Sequence, residues 1–420
     1  MKTLSERVII TEEELHGKLY EILAVYQGNY MKEVRLLQEN TKPLLGNIYI
    51  GRVQSIVSNI QAAFIEIAGG QGCFCPLSEI VSPVFTKKVG KKPLCQGDEL
   101  LVEVVKEGVK TKPPMVSANL NFTGKYLVLT TQNRKLGISK KITGEERKRL
   151  KTLMEEKKGE DFGLVVRTNA AEIEEQVLLE ELEKLKKEYE QLRQTSIHKT
   201  AFSLLREADS EEIHFLKGLY MAETEKITTD KPEIYKRLQK YLSEHQPQDM
   251  EKLCLYVDKM VSLGALNNIK RELARALDTK VWLPSGGYLV IEPTEALTVI
   301  DVNSGRNQKK LEREELFFQT NVEAAKEIAA QLILRNISGI CIIDFIDMKE
   351  KSRQEELMHI LRMELKKDKI PATLVDITRL GLVELTRKKV QKSLREQLRG
   401  DEPYEYKITK EDTGISAEST

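Results

Sequence analysis

The sequence contains no long hydrophobic run. No stretch approaches the ~20 apolar residues that a membrane-spanning helix requires, and the N-terminal MKTLSERVIITEEE lacks the apolar core of a signal peptide. We therefore expect neither a membrane span nor a secretory leader.

Cysteine and histidine are also scarce. The cysteines form no even disulfide framework, which favours a reducing, cytoplasmic compartment; they are Cys73, Cys75, Cys95, Cys254 and Cys341. None of the five histidines has metal-ligand spacing or partners a Ser or Cys in a triad motif, and glycine-rich phosphate loops are absent. The motifs of zinc enzymes, triad hydrolases and P-loop enzymes are thus missing.

The chain has no excess of charge of either sign. With 66 basic and 65 acidic residues its formal net charge is +1, which neither requires nor excludes a polyanionic partner. A length of 420 residues, of which 40% are hydrophobic, is enough for several cores. At about 150 residues per domain, two to four domains are expected.

The first two hundred residues are rich in short strand patterns. Alternating apolar runs predict strands in the first forty residues, and four or five short strands between 46 and 120 are typical of a small closed barrel. KYLVLT and FGLVVRT predict strands, GEERKRLKTLMEEKK between them predicts a helix, and residues 172–194 predict a charged amphipathic helix. Residues 200–280 have a mixed, helix-rich pattern.

From Val281 onwards, strands and helices alternate, which predicts a sheet covered by helices. VWLPSGGYLVIE has the pattern of a hairpin around Gly286 and Gly287. The predicted strands that follow are ALTVIDV, GICIIDF and ATLVDIT. The predicted helices cover residues 312–335, residues 352–367 and the segment VELTRKKVQKSLREQL.

In two of these strands an apolar run ends on an acid. Asp301 and Asp344 close apolar strands separated by one helical crossover, so their carboxylates are expected to converge at the carboxyl ends of neighbouring strands. Such a pair, with the Asn303 amide on the same face and no His or Cys nearby, favours Mg²⁺ or Mn²⁺. Alternatively, the acids cap turns, and residue spacing does not separate the two interpretations. Asp347 fits turn capping or indirect support of the site better than ligation.

Two further groups of residues suggest nucleic-acid contacts. Phe64 and Phe74 lie on separate predicted barrel strands, where exposed aromatics beside basic residues bind single strands by stacking; the candidate charges are Arg52, Lys106, Lys110 and Lys112. The alternative for each Phe is burial in the barrel. In VVRTN, the guanidinium and hydroxyl of Arg167 and Thr168 can hold a terminal phosphate, although surface Arg–Thr pairs are common.

Together these segments resemble the bacterial ribonuclease E/G family. LPSGGYLVIEPTEALTVIDVNSGR, TNVEAAKEIAAQLILRNISGICIIDFIDM and GLVELTRKKVQKSL are similar to its catalytic-domain signatures. GNIYIGRV, QAAFIEI and CFCPLSEI are similar to its OB-fold, and GKYLVL and VVRT to its 5′-sensing region. The resemblance extends to about residue 398.

The resemblance implies a multidomain α/β and α+β architecture. An RNase H-like fold is expected to be split between residues 1–42 and 213–278. Between its parts lie an OB-fold RNA-binding domain at 43–119 and a 5′-sensor region at 120–212. A DNase I-like α/β catalytic domain at 279–400 and a polar tail at 401–420 are expected to follow.

The resemblance also implies residue roles. Asp301 and Asp344 match the family's Mg²⁺ ligands, and Asn303 its supporting amide. Matches to the 5′-monophosphate pocket are Gly124, Val128, Arg167 and Thr168. Matches to the RNA-binding barrel face are Phe64, Phe74 and Lys112, with Lys106 beside them, and we expect backbone contacts from Arg379 and Lys388.

The sequence departs from the family in three respects. No cysteine follows Cys341, so the zinc shared by two subunits in relatives is not expected, and neither is the C-terminal small domain of longer members. A homodimer without that link remains open. Lys112 is followed by Pro113, where relatives often have glycine, so this end of the barrel is expected to differ.

The resemblance predicts a Mg²⁺-dependent endoribonuclease that cleaves single-stranded RNA in rRNA processing and mRNA decay. A 5′-monophosphate is expected to stimulate it, and the products are expected to carry a 5′-phosphate and a 3′-hydroxyl. A non-catalytic RNA-binding protein of ribosome maturation is the alternative, and a deoxyribonuclease is a further one because fold alone does not fix the sugar.

Overall fold

The computed structural model describes residues 5–38, 44–108, 112–131, 134–305 and 312–399, which form two compact units. The first unit takes its described residues from Met1–Thr41, Lys226–Tyr235 and Cys254–Thr420, and the second from Lys42–Glu225 and Lys236–Leu253. Lys110 and the predicted polar tail lie outside the described residues. Within these ranges, no helix is long and apolar enough to cross a bilayer.

The described strands and helices are numbered along the chain. The strands are β1 (Glu6–Leu15), β2 (Lys18–Gln27), β3 (Tyr30–Gln38), β4 (Ile48–Val57), β5 (Ala62–Glu66), β6 (Gly72–Pro76), β7 (Phe85–Lys87), β8 (Glu99–Lys106), β9 (Met115–Ser117), β10 (Asn121–Thr123), β11 (Leu127–Thr130), β12 (Leu136–Ile138), β13 (Gly163–Val166), β14 (Leu204–Arg206), β15 (Thr224–Thr229), β16 (Leu253–Leu255), β17 (Lys280–Trp282), β18 (Tyr288–Pro293), β19 (Leu297–Asn303), β20 (Gly339–Asp344), β21 (Ala372–Ile377) and β22 (Val383–Arg387). The α-helices are α1 (Gly144–Lys157), α2 (Glu175–Ser196), α3 (Glu211–Lys217), α4 (Pro232–His245), α5 (Leu263–Leu266), α6 (Ile269–Leu277), α7 (Arg313–Leu334), α8 (Lys351–Leu365) and α9 (Leu394–Arg399).

A five-stranded sheet in the order β16-β15-β1-β2-β3 opens the first unit. β1, β2 and β3 form an antiparallel meander, which confirms the strands predicted for the first forty residues. β15 and β16 come from the segment whose pattern was mixed, and they extend the sheet beside β1. Its core combines residues of the meander with residues from later helices, including Tyr20, Ile22, Leu273, Leu394 and Leu398.

A six-stranded sheet in the order β17-β18-β19-β20-β22-β21 forms the rest of the first unit's strand structure. β19 and β20 are parallel and the other pairs are antiparallel. One face packs on α7 and α8 through a core that includes Leu289, Ile300, Val302, Cys341, Ile343, Ile328 and Leu361. The predicted hairpin, strands and two long helices of this region are confirmed, so the sheet is covered by helices on this face.

The helix predicted for VELTRKKVQKSLREQL is wrong. Its first part, Val383–Arg387, is strand β22 between β20 and β21, and only Leu394–Arg399 is helical. Val383, Leu385 and Arg387 are buried while Glu384 and Thr386 are not. Burial at every second residue is the period of a strand, and the buried Arg387 guanidinium is neutralised by Asp368, with a 2.6 Å ion pair.

The second unit contains a small closed barrel. Strands β4, β5, β6, β9 and β8 are joined in that order, and pairing of β4 with β8 closes the ring. Ala63, Ile65, Cys73 and Cys75 face its interior and are fully buried. The predicted small barrel is confirmed, and it is consistent with an OB-like fold.

β14 and β7 extend the barrel sheet by pairing with β4 and β8, and the second unit also contains a four-stranded sheet in the order β10-β11-β13-β12. α1 and α2 occupy the segments predicted to be helical, which confirms both predictions. α2 buries an apolar stripe against the sheet; its residues are Leu178, Leu182, Leu185 and Leu192. Spacings of three, four and seven residues place these leucines on one helix face, and charged residues such as Glu183, Lys184 and Lys187 are exposed.

Candidate active site

The two acids predicted to converge lie opposite each other. β19 and β20 run in parallel, and the Cα partner of Asp301 in this ladder is Asp344. Both are the last or nearly the last residue of a strand whose alternate side chains are buried in the helix-covered core, as Ile300, Val302 and Ile343 are. Strand alternation therefore turns both carboxylates onto the other face of the sheet.

Asn303 lies on the same face as Asp301, two residues further along β19. Its Nδ2 donates a hydrogen bond of 2.7 Å to Oδ2 of Asp301. An amide that donates to a carboxylate fixes its orientation without adding charge. We refer to Asp301, Asn303 and Asp344 together as the acidic edge.

Negative charge is concentrated at the acidic edge. Partial desolvation, and then the charges of Asp301 and Asp347, raise the pKa of the Asp344 carboxyl above its usual range. Carboxylates held close together disfavour simultaneous ionisation unless a cation lies among them. In the described ranges no cluster of three or more His, Cys, Asp or Glu side chains has the geometry of a metal site.

A buried amide on α7, which the sequence analysis missed, holds the loop that follows Asp344. The Asn321 side chain donates to the Ile346 carbonyl at 2.8 Å and accepts from the Ile346 N–H at 3.0 Å. It is fully buried. The available signal was a polar residue on the core face of α7.

A tight turn of the β17–β18 hairpin packs against the end of β19. Gly287 cannot carry a side chain because a Cβ there would lie 2.8 Å from the Asn303 carbonyl oxygen and 3.0 Å from Thr320. The turn is held from α7, since the Glu323 carboxylate accepts from the Ser285 N–H at 3.0 Å. The glycine pair thus permits the close backbone approach that sets the end of β19.

The predicted phosphate pocket lies in the second unit, and we call Gly124, Val128, Arg167 and Thr168 the arginine pocket. Arg167 donates to the Gly124 carbonyl at 2.6 Å and also to the Lys217 carbonyl. The Thr168 hydroxyl shares a 2.8 Å hydrogen bond with the Ser139 hydroxyl. Val128 pairs with Val165, two residues before Arg167. Burial lowers the pKa of the Arg167 guanidinium.

A glutamate on α2, which the sequence did not single out, shapes the arginine pocket. The Glu181 carboxylate on α2 accepts hydrogen bonds of 2.8–2.9 Å from three successive backbone N–H groups, those of Lys125, Tyr126 and Leu127. A Cβ on Gly124 would lie 2.5 Å from the carbon and 2.7 Å from both oxygens of this carboxylate. The requirement for glycine at residue 124 therefore comes from a carboxylate distant in sequence.

Phe64 and Phe74 lie on the outer face of the barrel, not in its interior. They are direct partners on β5 and β6, their rings are 6.0 Å apart in an edge-to-face arrangement, and both are half-buried between fully buried neighbours. Met115 is the strand partner of both Phe74 and Lys106. The Phe74 N–H donates to the Pro114 carbonyl, two residues after Lys112. The exposed Lys106 and Lys112 are therefore near the two phenylalanines. Arg52 instead pairs with Glu99 at 3.0 Å.

Arg379 and Lys388 lie at opposite ends of the six-stranded sheet. Arg379 is exposed in the β21–β22 turn, and β22 begins opposite Ile343, next to Asp344. Lys388 follows Arg387, whose partner is Gly339 at the start of β20. Of the two predicted backbone contacts, only Arg379 is at the end of the sheet where the acidic edge lies.

Comparisons with known proteins find a matching family model and relatives similar to most of the chain. Residues 121–390 match the model of the ribonuclease E/G family. The chain is 32% identical over 388 residues to ribonuclease G of Escherichia coli K12, covering 90% of this chain and 79% of that relative. It is 35% identical over 400 residues to ribonuclease E of Synechocystis sp. PCC 6803, and it spans 58% of the length of that relative.

Proposed function

Because this chain belongs to the ribonuclease E/G family, we propose that it hydrolyses single-stranded RNA at the acidic edge in a Mg²⁺-dependent reaction. Family membership and the names of its relatives indicate an endoribonuclease. The observation that carries the proposal is the direct pairing of Asp301 with Asp344. The products would carry a 5′-phosphate and a 3′-hydroxyl.

The donor set of the acidic edge fits a hard divalent cation. Asp301 and Asp344 would hold it through carboxylate oxygens, the ligands that Mg²⁺ and Mn²⁺ prefer, and Asn303 would keep Asp301 oriented. Partial desolvation and the neighbouring carboxylates of Asp301 and Asp347 raise the pKa of Asp344, and a bound cation would offset the repulsion between these like charges. A bound cation would supply Lewis-acid stabilisation of the charge that develops on the scissile phosphate. Zinc is not expected with these ligands.

The barrel residues would bind the RNA strand. Phe64 and Phe74 are exposed enough on the outer face to stack on bases, and Lys106 and Lys112 would contact phosphates. Arg379 would contact the backbone close to the acidic edge. Lys388 could do so only for a strand that continues to the other end of the sheet.

The arginine pocket would bind a 5′-monophosphate and stimulate cleavage. A guanidinium carries five N–H groups, more than the two that donate to the carbonyls of Gly124 and Lys217. Thr168 would add a hydroxyl, and the backbone near Gly124 and Val128 would shape the site. The carbonyl contacts would hold the arginine in place before a phosphate arrives, which reduces the entropy lost on binding.

The finer domain layout is also a proposal. The five-stranded sheet would be the RNase H-like part, since β15 and β16 join the N-terminal meander. The six-stranded sheet would be the DNase I-like catalytic domain, and residues 120–212 the 5′-sensor. The cellular roles would be rRNA processing and mRNA decay in the cytoplasm. A homodimer without a zinc link would be compatible with these roles. Light scattering with and without RNA would measure the oligomeric state.

The test is cleavage of a short, unstructured, 5′-phosphorylated RNA with Mg²⁺ or with a chelator, beside DNA of the same sequence. We expect cleavage of the RNA only with Mg²⁺ and products with 5′-phosphate ends. Binding without cleavage would favour the non-catalytic alternative in ribosome maturation. Equal cleavage of the DNA would favour a deoxyribonuclease.

A further inference from the structure

A pair of aromatic residues lies in line with the acidic edge across the six-stranded sheet. Trp282 on β17 is the partner of Tyr288 on β18, and Tyr288 is the partner of Asn303 on β19. The two rings are 5.4 Å apart at an interplanar angle of 61°. Two strand spacings, roughly 10 Å, separate Trp282 from Asn303, so the pair is within reach of the nucleotides next to a phosphate at the acidic edge.

Strand alternation places these rings on the face that carries the acids. Leu289 and Val302, the neighbours of Tyr288 and Asn303 in sequence, are in the core under α7 and α8. Tyr288 is half-buried on the opposite face, and Trp282 is 64% exposed there. A large indole left in solvent beside an active site is a surface suited to a ligand with its own π-face.

A lysine adds positive charge to the aromatic pair. The exposed Lys280 ammonium is 3.6 Å from the centroid of the Tyr288 ring and 4.0 Å from that of the Trp282 ring. The simpler interpretation is a cation–π cluster that only covers its own surface. That interpretation leaves unexplained why most of the Trp282 side chain remains exposed in line with Asn303. A cation beside a stacking surface is the combination that binds a nucleotide through its base and its phosphate.

We propose that Trp282, Tyr288 and Lys280 form a base-stacking subsite for a nucleotide adjacent to the scissile phosphate of single-stranded RNA. The proposal rests on the proposed function of the acidic edge. Trp282 and Tyr288 stack on the base and Lys280 contacts a neighbouring phosphate. The subsite contributes to the affinity for RNA, and because every base has a π-face, it discriminates weakly among sequences.

Trp282 is the chain's single tryptophan, so its emission reports on the subsite directly. In the full chain carrying Asp301→Asn to prevent cleavage, we expect a short unstructured RNA to quench this emission to saturation. A series of the same RNA with one abasic nucleotide moved along it should lose the quenching at one or two positions only. Polyphosphate, which has charge but no bases, should not quench.

Anisotropy of a labelled copy of the same RNA separates the two hypotheses. RNA that binds without quenching Trp282 overturns the subsite and leaves the proposed function intact. RNA that neither binds nor is cleaved by the wild-type chain overturns both. A concentration-dependent change in Trp282 emission without RNA, accompanied by a larger mass in light scattering, would assign this face to a second copy of the chain and overturn the subsite.

Substitutions test the contribution to cleavage. Trp282→Leu should raise KM for RNA about 5- to 100-fold, the range that truncation of a base-stacking aromatic gives, with a smaller change in kcat, whereas Trp282→Phe should stay within a few-fold of wild type. Tyr30→Ala is the matched control, because Tyr30 is 69% exposed on the five-stranded sheet. An unchanged KM in Trp282→Leu, with its melting temperature preserved, would contradict the proposal.

Discussion

The acidic edge and the arginine pocket differ in how their charges are balanced. Asp301 and Asp344 stand opposite each other, with Asp347 near enough to help raise the pKa of Asp344. Arg167, by contrast, is held by two backbone carbonyls, and the nearby backbone N–H groups of residues 125–127 are satisfied by the Glu181 carboxylate.

We therefore expect the two sites to respond differently when one of their residues is replaced. Among the described residues, desolvation and the charges of Asp301 and Asp347 all raise the pKa of Asp344. Under the proposed function the acidic edge needs a cation from solution, so cleavage should be lost when either aspartate is replaced. The arginine pocket is ordered by its own chain and requires nothing to form. Loss of the arginine pocket should change the preference for 5′-monophosphate over 5′-hydroxyl RNA and leave the cleavage reaction itself intact.

The largest effect is expected from Asp301→Asn or Asp344→Asn. Each removes one of the two proposed charged ligands, so cleavage with Mg²⁺ should fall about 100- to 1,000-fold, the scale of losing a main electrostatic group of an active site. RNA affinity, measured by anisotropy, should be retained. Glu295→Gln is the matched control, because Glu295 is an exposed acid before the other end of β19. Cleavage by either aspartate variant at near wild-type rate would show that the edge is not catalytic.

A smaller loss is expected from Asn303→Ala. It removes the 2.7 Å hydrogen bond that orients Asp301 while both carboxylates remain, and loss of such a support typically costs 10- to 100-fold in metal affinity or activity. The Mg²⁺ concentration for half-maximal cleavage should therefore increase, and excess Mg²⁺ should restore part of the rate. No change in the Mg²⁺ requirement would mean that Asn303 does not act through Asp301.

Arg167→Ala tests the arginine pocket. The preference for 5′-monophosphate over 5′-hydroxyl RNA should drop about tenfold or more, the scale of one charge-assisted hydrogen bond, while cleavage of 5′-hydroxyl RNA stays close to wild type. The ratio of the two rates is the measurement, because it is insensitive to a partly unfolded sample. Arg193→Ala, on the exposed side of α2 where Arg193 pairs with Glu190, is the control. An unchanged ratio would show that this pocket does not sense the 5′ end.

The comparison also shows which features the sequence could predict. The acidic edge could be predicted because Asp301 and Asp344 lie near the ends of two strands joined by one crossover. Neighbouring parallel strands bring such residues together. The outward position of Phe64 and Phe74 could not be predicted, because the alternation of β5 and β6 does not reveal which set faces the barrel interior. The strand β22 was missed because the charged residues after Arg387 continue a helical pattern that Val383–Arg387 itself does not follow. A polar residue on the core face of α7 could draw attention to Asn321, but Glu181 and Asn321 hold backbone that is distant in sequence, so no local pattern identifies their partners.

The smallest change in rate is expected from Asn321→Ala, which tests whether the acidic edge needs internal support as well as a cation. The variant leaves the buried N–H and carbonyl of Ile346 without their side-chain partner, which should lower the free energy of unfolding by about 2 kcal/mol. Because Ile346 lies between Asp344 and Asp347, kcat should fall a few-fold while KM changes little.

Gln319→Ala is the matched control for Asn321→Ala, since Gln319 is an amide on the same helix that bonds only to the partly exposed Glu315 side chain at 2.8 Å among the described contacts. Denaturant unfolding and steady-state kinetics on the two variants give the comparison. If Asn321→Ala lost stability with kcat unchanged, the loop after β20 would be a structural element alone. A fall in kcat specific to Asn321→Ala would show that the position of Asp344 depends on a buried amide as well as on its own strand.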